Sequence, residues 1–145
     1  MTETAINDRE AVLGTVQALL DTIPARDRAA MSALLVPGGS AVRSRDDTVI
    51  CTPFAEFPDQ MPGGTTVLEE RFYQPTVLID EDIAMVWARY DFLVDGQVHH
   101  WGTNILSLLK RDGRWRISAI ADNGRTSPRP AGWEKGDELP GTDVR

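Results

Sequence analysis

The fold is decided by residues 83–122, IAMVWARYDFLVDGQVHHWGTNILSLLKRDGRWRISAIAD, three runs dense in Val, Ile, Leu, Trp, Tyr and Phe joined by Asp95-Gly96 and Asp112-Gly113. β-Branched and aromatic residues fit a pleated, half-buried surface. Asp-Gly is what a two-residue hairpin turn selects, because both central positions need positive φ. Upstream, residues 66–79 form a fourth run of the same kind, separated by Asp80-Glu81-Asp82. Four long strands, 66–79, 83–94, 98–110 and 114–122, therefore make an antiparallel meander.

Before the meander the period changes. Ala11, Val12, Val16, Leu19, Leu20 and Ile23 recur at three and four, one face of a helix capped by Asn7 or Asp8 and ended by Pro24. A second helix is expected over 27–35, with Ala30, Met31, Leu34 and Leu35 inward and Pro37-Gly38-Gly39 as its stop. Residues 40–44 and 48–51 read as short strands around Arg45-Asp46-Asp47. The segment PFAEFPDQM (53–61) sets Phe54, Phe57 and Met61 at helical spacing but is interrupted by Pro58, which suits one or two irregular turns acting as a lid, with Gly63-Gly64 as its joint. Helices first and strands afterwards argue α+β, with the helices on one face of the sheet. Residues 1–124 form one domain. Residues 125–145, with Pro128, Pro130, Pro140, Gly132, Gly136 and Gly141, read as an irregular Pro/Gly-rich tail, in which Trp133 is expected to dock at a pocket mouth or on a partner subunit.

The chain has 145 residues and a formal net charge of −7, so phosphate backbones and anionic lipid surfaces would repel it, and neither nucleic acid nor membrane is an expected partner. Cys51 is the only cysteine, which rules out an internal disulfide and suits a cytoplasmic setting. Residues 1–10 are polar and acidic, unlike a signal peptide. His99 and His100 stand with no carboxylates at metal-ligand spacing, and no phosphate loop, nucleophile elbow or dinucleotide fingerprint occurs. No metal and no cofactor are expected.

Several segments carry a resemblance: Leu68-Glu69-Glu70-Arg71-Phe72-Tyr73-Gln74-Pro75, the run IAMVWARYDF from Ile83 to Phe92, His100-Trp101-Gly102-Thr103-Asn104, and Gly113-Arg114-Trp115-Arg116-Ile117. Together with the element order, they make residues 8–123 resemble the nuclear-transport-factor-2-like superfamily and its SnoaL-like and lumazine-binding-like members. The resemblance implies a cone-shaped, curved antiparallel sheet with the N-terminal helices on its concave face (a cystatin-like roll), a pocket for a small hydrophobic molecule, and a homodimer built on the convex face. Asn104 stands where relatives often carry Asp, and Arg89 where they often carry Pro. The superfamily hosts cyclases, isomerases, dehydratases, epoxide hydrolases and non-catalytic proteins.

Alternate residues of a strand share a face. His100, Gly102, Asn104, Leu106 and Leu108 should therefore point inward with Val98, and Ala84, Val86, Ala88, Tyr90 and Phe92 with them. The same alternation groups Arg71, Tyr73, Pro75, Val77 and Ile79, and separately Trp115, Ile117, Ala119 and Ala121. His100 is the candidate acid or base, since imidazole titrates nearest neutrality. Tyr90 and Asn104 complete the candidate catalytic set, holding substrate oxygen or donating to developing negative charge. Arg71, Tyr73, Phe54, Phe57 and Trp115 are candidate substrate contacts. Asp122 joins them if a bulge turns it inward, and otherwise ends a strand. Glu69 and Glu70 read as surface partners of Arg71, and Asp91 and Asp95 as solvent-facing. Two functions fit. One is a cofactor-independent isomerase, cyclase or dehydratase acting on a polyketide- or terpenoid-like substrate by general acid/base catalysis. The other is a non-catalytic ligand-binding or dimerisation module.

Overall fold

The computed structural model describes residues 2–135, and the side chains of 7–135. The last ten residues of the expected tail, with Gly136, Pro140 and Gly141, lie outside the described residues. Helix α1 (Thr2–Ala25) is followed by α2 (Arg28–Ala33), β1 (Leu35–Arg45), β2 (Thr48–Pro53), a 3₁₀ turn over Phe57–Gln60, and the meander β3 (Leu68–Asp80), β4 (Ile83–Val94), β5 (Gln97–Arg111) and β6 (Arg114–Asp122). The six strands form one sheet in the order β2-β1-β6-β5-β4-β3. Every neighbouring pair is antiparallel except β1 and β6, which run parallel.

The meander follows the sequence closely. Asp95, Gly96, Asp112 and Gly113 all take positive φ, as two-residue hairpins require. α1 presents Val12, Val16, Leu19 and Ile23 to a core that includes Val86, Leu106, Leu108, Trp115 and Ile117. At the other end of the core, Asp8 binds Lys110 Nζ at 2.9 Å and the Trp115 indole at 3.4 Å, tying the helix to the β5–β6 hairpin.

Three local expectations change. α1 begins at Thr2, so Asn7 and Asp8 lie inside it rather than capping it. It also runs one residue past Pro24, to Ala25. Arg26, at φ 49°, then closes the helix: its N–H bonds Ile23 O and that of Asp27 bonds Thr22 O, so two terminal carbonyls find donors. Pro37-Gly38-Gly39 does not stop a helix. α2 ends at Ala33, and the triplet lies within β1 where its pairing with β6 is interrupted between Leu35 and Ser40. Gly39 is pressed against the Phe54 ring and the Ser118 carbonyl, leaving no room for a Cβ.

Candidate active site

A cavity of about 190 Å³ opens between the inner face of the sheet, the C-terminal end of α1, α2 and the 57–62 segment. Ile23, Met31, Phe57, Met61 and Phe92 give it apolar walls. Arg43, Arg45, Glu70, His100 and Asp122 give it charge and hydrogen-bonding capacity, and Gln60 and Pro62 sit at its exposed edge. The 53–61 segment, expected as a lid, supplies one wall.

Three breaks in strand register bring the polar groups together. In β3 the pairing slips between Tyr73 and Thr76, where Gln74 takes φ 46° and Pro75 has no N–H to pair. Upstream of that bulge Leu68, Glu70 and Phe72 face inward; downstream Val77 and Ile79 do. In β5 the pairing passes from Phe92↔His100 to Leu93↔Val98, which sets His99 aside. In β6 it passes from Leu108↔Ile117 to Ser107↔Ala119, so Ser118 is extra, and Ile120 and Asp122 turn inward in place of Ala119 and Ala121. Glu70, Phe92 and His100 consequently form one cross-strand row over β3, β4 and β5, with the imidazole stacked on Phe92 at 5.0 Å and 13°.

Asp122 is the best-held of these groups. Its Oδ1 accepts from Arg45, from Tyr90 Oη at 3.0 Å and from Gly124 N at 3.0 Å. Burial opposes the charge on Arg45, but the hydrogen bond and charge of Asp122 outweigh it and hold the guanidinium protonated. Burial, then the charge of Asp122, drives the Tyr90 hydroxyl far above the ordinary phenol range, so it remains a donor. Burial pushes the Glu70 carboxyl up to about 8, helped by Asp122 and opposed by Arg45. Burial also pulls His100 down to about 4, with Arg45 and His99 adding to the effect. At neutral pH Glu70 is therefore mostly a neutral carboxylic acid and His100 a neutral imidazole.

Of the residues expected from the sequence, His100, Phe57 and Asp122 line the cavity. Tyr90 reaches it only through Asp122, with its own side chain buried. Asn104 is buried opposite Asp122 but forms none of the wall, and Phe54 and Trp115 belong to the core. Arg71 and Tyr73 lie on the other side of the sheet, because the β3 bulge breaks the alternation that grouped them with Val77. There they bind Asp91, which is fully buried rather than solvent-facing: Arg71 Nε and Nη2 donate to it at 3.0 and 2.9 Å, Tyr73 Oη at 2.8 Å, and Arg129 also donates.

Arg129 belongs to a strap, residues 125–135, that crosses the outer face. Trp133 is 2% exposed on this chain's own sheet rather than at the cavity. Its ring meets Trp101 edge-on at 4.8 Å, carries Arg89 at 4.8 Å, and donates to Tyr90 O at 3.3 Å.

Glu70, Arg43 and Arg45 were not among the expected site residues. Pro75 inside a strand-like run is the available signal for Glu70, because proline in a strand marks an edge or a bulge. For the arginines it is the Ala41-x-Arg43-x-Arg45 alternation, legible only once the strand extends to Arg45. Among the described residues no group of three or more His, Cys, Asp and Glu is placed to hold a metal ion, and no helix is long and apolar enough to cross a membrane.

Residues 12–120 match the family model described as the SnoaL-like domain. No curated protein matches the sequence. Among solved structures, a protein of unknown function from Mycobacterium tuberculosis is similar at 13% identity and TM-score 0.71, covering 92% of this chain and 79% of that one. A nuclear-transport-factor-2-like protein with a cystatin-like fold from Novosphingobium aromaticivorans is similar at 15% identity and TM-score 0.70, covering 95% and 94%. A candidate scytalone dehydratase from the same organism is similar at 14% identity and TM-score 0.72, covering 86% and 89%.

Proposed function

The chain belongs to the SnoaL-like domain family of the nuclear-transport-factor-2-like superfamily, and on that premise we propose that it is a cofactor-independent enzyme that isomerises, cyclises or dehydrates a compact hydrophobic molecule by general acid/base catalysis. One observation carries the reading: a carboxyl and an imidazole, both neutral at pH 7, flank Phe92 in a largely apolar cavity. A group titrating at about 8 has both its acid and its base form within reach near neutrality, the condition for efficient proton transfer in both directions. Glu70 thus takes the role that the sequence gave to His100. As acid it protonates a carbonyl or departing hydroxyl oxygen; as carboxylate it takes the proton from the adjacent carbon. His100, held neutral, exchanges a hydrogen bond with a substrate oxygen. Asp122, held by Arg45, Tyr90 and Gly124, stands beside them.

A cavity of about 150 Å³ suffices for benzene, so one of about 190 Å³ favours a compact one- or two-ring polyketide- or terpenoid-like compound. The test is deuterium incorporation from D₂O into a panel of cyclic enolisable ketones, followed by mass spectrometry. Wild type should catalyse exchange on at least one, and Glu70→Gln should slow it by about 10²–10⁴-fold. Ligands that enter the cavity with no exchange on any ketone would refute the enzyme and leave a binding module.

The outer face supports a homodimer. Trp87, Ile105 and Ala121 pair in sequence across β4, β5 and β6, and Trp87 is 49% exposed. A ring so exposed within an apolar row suits burial against a second copy. Light scattering should report a dimer at micromolar concentration and a monomer for Trp87→Glu; a wild-type monomer would refute it.

A further inference from the structure

We propose that the molecule this cavity takes is a monocarboxylate, its carboxylate gripped by Arg43 and its compact hydrocarbon body held by the apolar walls. The inference deepens the reading of the cavity as a small-molecule site and rests on it. Arg43 is a cavity wall whose guanidinium lies 5.9 Å from the centroid of the Phe57 ring. Guanidinium offers five N–H donors in a planar fork. Among the described residues only one contact uses them, Nη2 to Thr52 Oγ1 at 3.2 Å, and the buried Nε has no partner at all. A buried polar atom without a partner is uncommon in a folded protein, and here it belongs to a guanidinium whose donors the fold leaves largely unused.

No described carboxylate supplies it. The neighbouring strand sets Asp122 beside Arg43 in register, yet the Asp122 Oδ1 atom is occupied by Arg45, Tyr90 and Gly124. The Arg45–Asp122 pair cancels its own charge. Glu70 and His100 are mostly neutral at pH 7, so Arg43 leaves the cavity with about one net positive charge inside a chain whose net charge is −7. One excess charge matches a monoanion better than a phosphate dianion, which would also meet the fixed charge of Asp122. A carboxylate is the planar monoanion that the fork fits with two parallel hydrogen bonds. Phe57, Phe92, Ile23 and Met31 then favour an apolar body over a polar one.

The experiment titrates wild-type protein at pH 7 and low salt with three acid/amide pairs that differ in charge but little in shape: benzoate and benzamide, phenylacetate and phenylacetamide, cyclohexanecarboxylate and its amide. Calorimetry reads affinity, and ¹H–¹⁵N spectra follow the Arg43 Nε–H. At least one acid should bind about 10- to 100-fold more tightly than its amide and shift the Arg43 signal. Arg43→Gln should bring that acid down to its amide's affinity, and Arg43→Lys should retain part of the preference. Equal affinity for acid and amide in wild type, or a preference that survives Arg43→Gln, overturns the carboxylate assignment and leaves the cavity reading standing. Failure of all six compounds to perturb Arg43, Phe92 or His100 overturns both.

Discussion

Glu70 is held against its own chemistry, and that has a measurable effect on stability. Unfolded, its carboxyl titrates near the ordinary 4.5; folded, it does so at about 8, because burial, Asp122 and Asp91 disfavour the charge more than Arg45 favours it. His100, across Phe92, is mostly neutral in the folded chain but protonated below about 6.5 in the unfolded one, so its own contribution runs the opposite way, and it is common to wild type and Glu70→Gln. Between its two pKa values Glu70 binds more proton in the folded chain than in the unfolded one, so its contribution to stability falls as pH rises. Below 4.5 both states are protonated and Glu70 contributes nothing. Each pH unit within the window removes about 1.4 kcal/mol, reaching roughly 5 kcal/mol above pH 8. At pH 7, screening by solvent in the cavity leaves about 2–3 kcal/mol. Glu70→Gln keeps the shape and removes the charge. Urea denaturation should therefore find the variant about as stable as wild type at pH 4.5–5, more stable by about 2–3 kcal/mol at pH 7, and further ahead at pH 8.5. A stability difference that does not change between pH 5 and 8.5, or a Glu70 carboxyl carbon that titrates near 4.5 by NMR, would refute the neutral-acid assignment and with it the proposed proton donor.

Other consequences concern what holds the site in place. A Cβ on Gly124 would lie 2.5 Å from Tyr90 Oη and 2.9 Å from the Arg45 guanidinium, so Gly124→Ala should displace the partners of Asp122, destabilise the protein by about 1–3 kcal/mol and lower any turnover; an unchanged melting temperature would refute this. Trp133→Ala removes a nearly fully buried ring from between Trp101 and Arg89 and should cost about 3 kcal/mol in urea denaturation, with new protease cleavage between residues 125 and 135. Wild-type susceptibility there would mean the strap is not docked in solution.

The strands were legible because period two and Asp-Gly turns are local signals, and β4 and β6 run over the same residues that the pattern marks. The direction of β1 was not legible. Its parallel pairing with β6 joins segments some eighty residues apart, and nothing within residues 35–45 specifies the partner. The N-terminal helix was legible as a face but not in its ends. Asp8 looks like a cap from sequence, and only the folded hairpin shows that Lys110 and Trp115 use its carboxylate.

The site was harder to read than the fold for one reason: alternation transmits any error in phase. Running backward from Val77 and Ile79 without interruption puts Tyr73 and Arg71 inside and Glu70 in solvent. One added residue at Gln74 reverses all three, because a single-residue slip moves every side chain beyond it to the other face. The same holds in β6, where the extra Ser118 exchanges Ala119 and Ala121 for Ile120 and Asp122. His100 was placed inward correctly, as its bulge, at His99, lies on the far side of it from the core. The acid and the fixed carboxylate of the proposed site thus owe their place to two bulges, of which only the first leaves a mark in the sequence, at Pro75. An uninterrupted sheet made from the same strands would turn Arg71 and Tyr73 inward and leave Glu70 and Asp122 outside. It would take from the cavity the carboxyl that burial raises to about 8. In this chain the departures from regular β structure, more than the strands, give the cavity its proposed acid and the carboxylate held beside it.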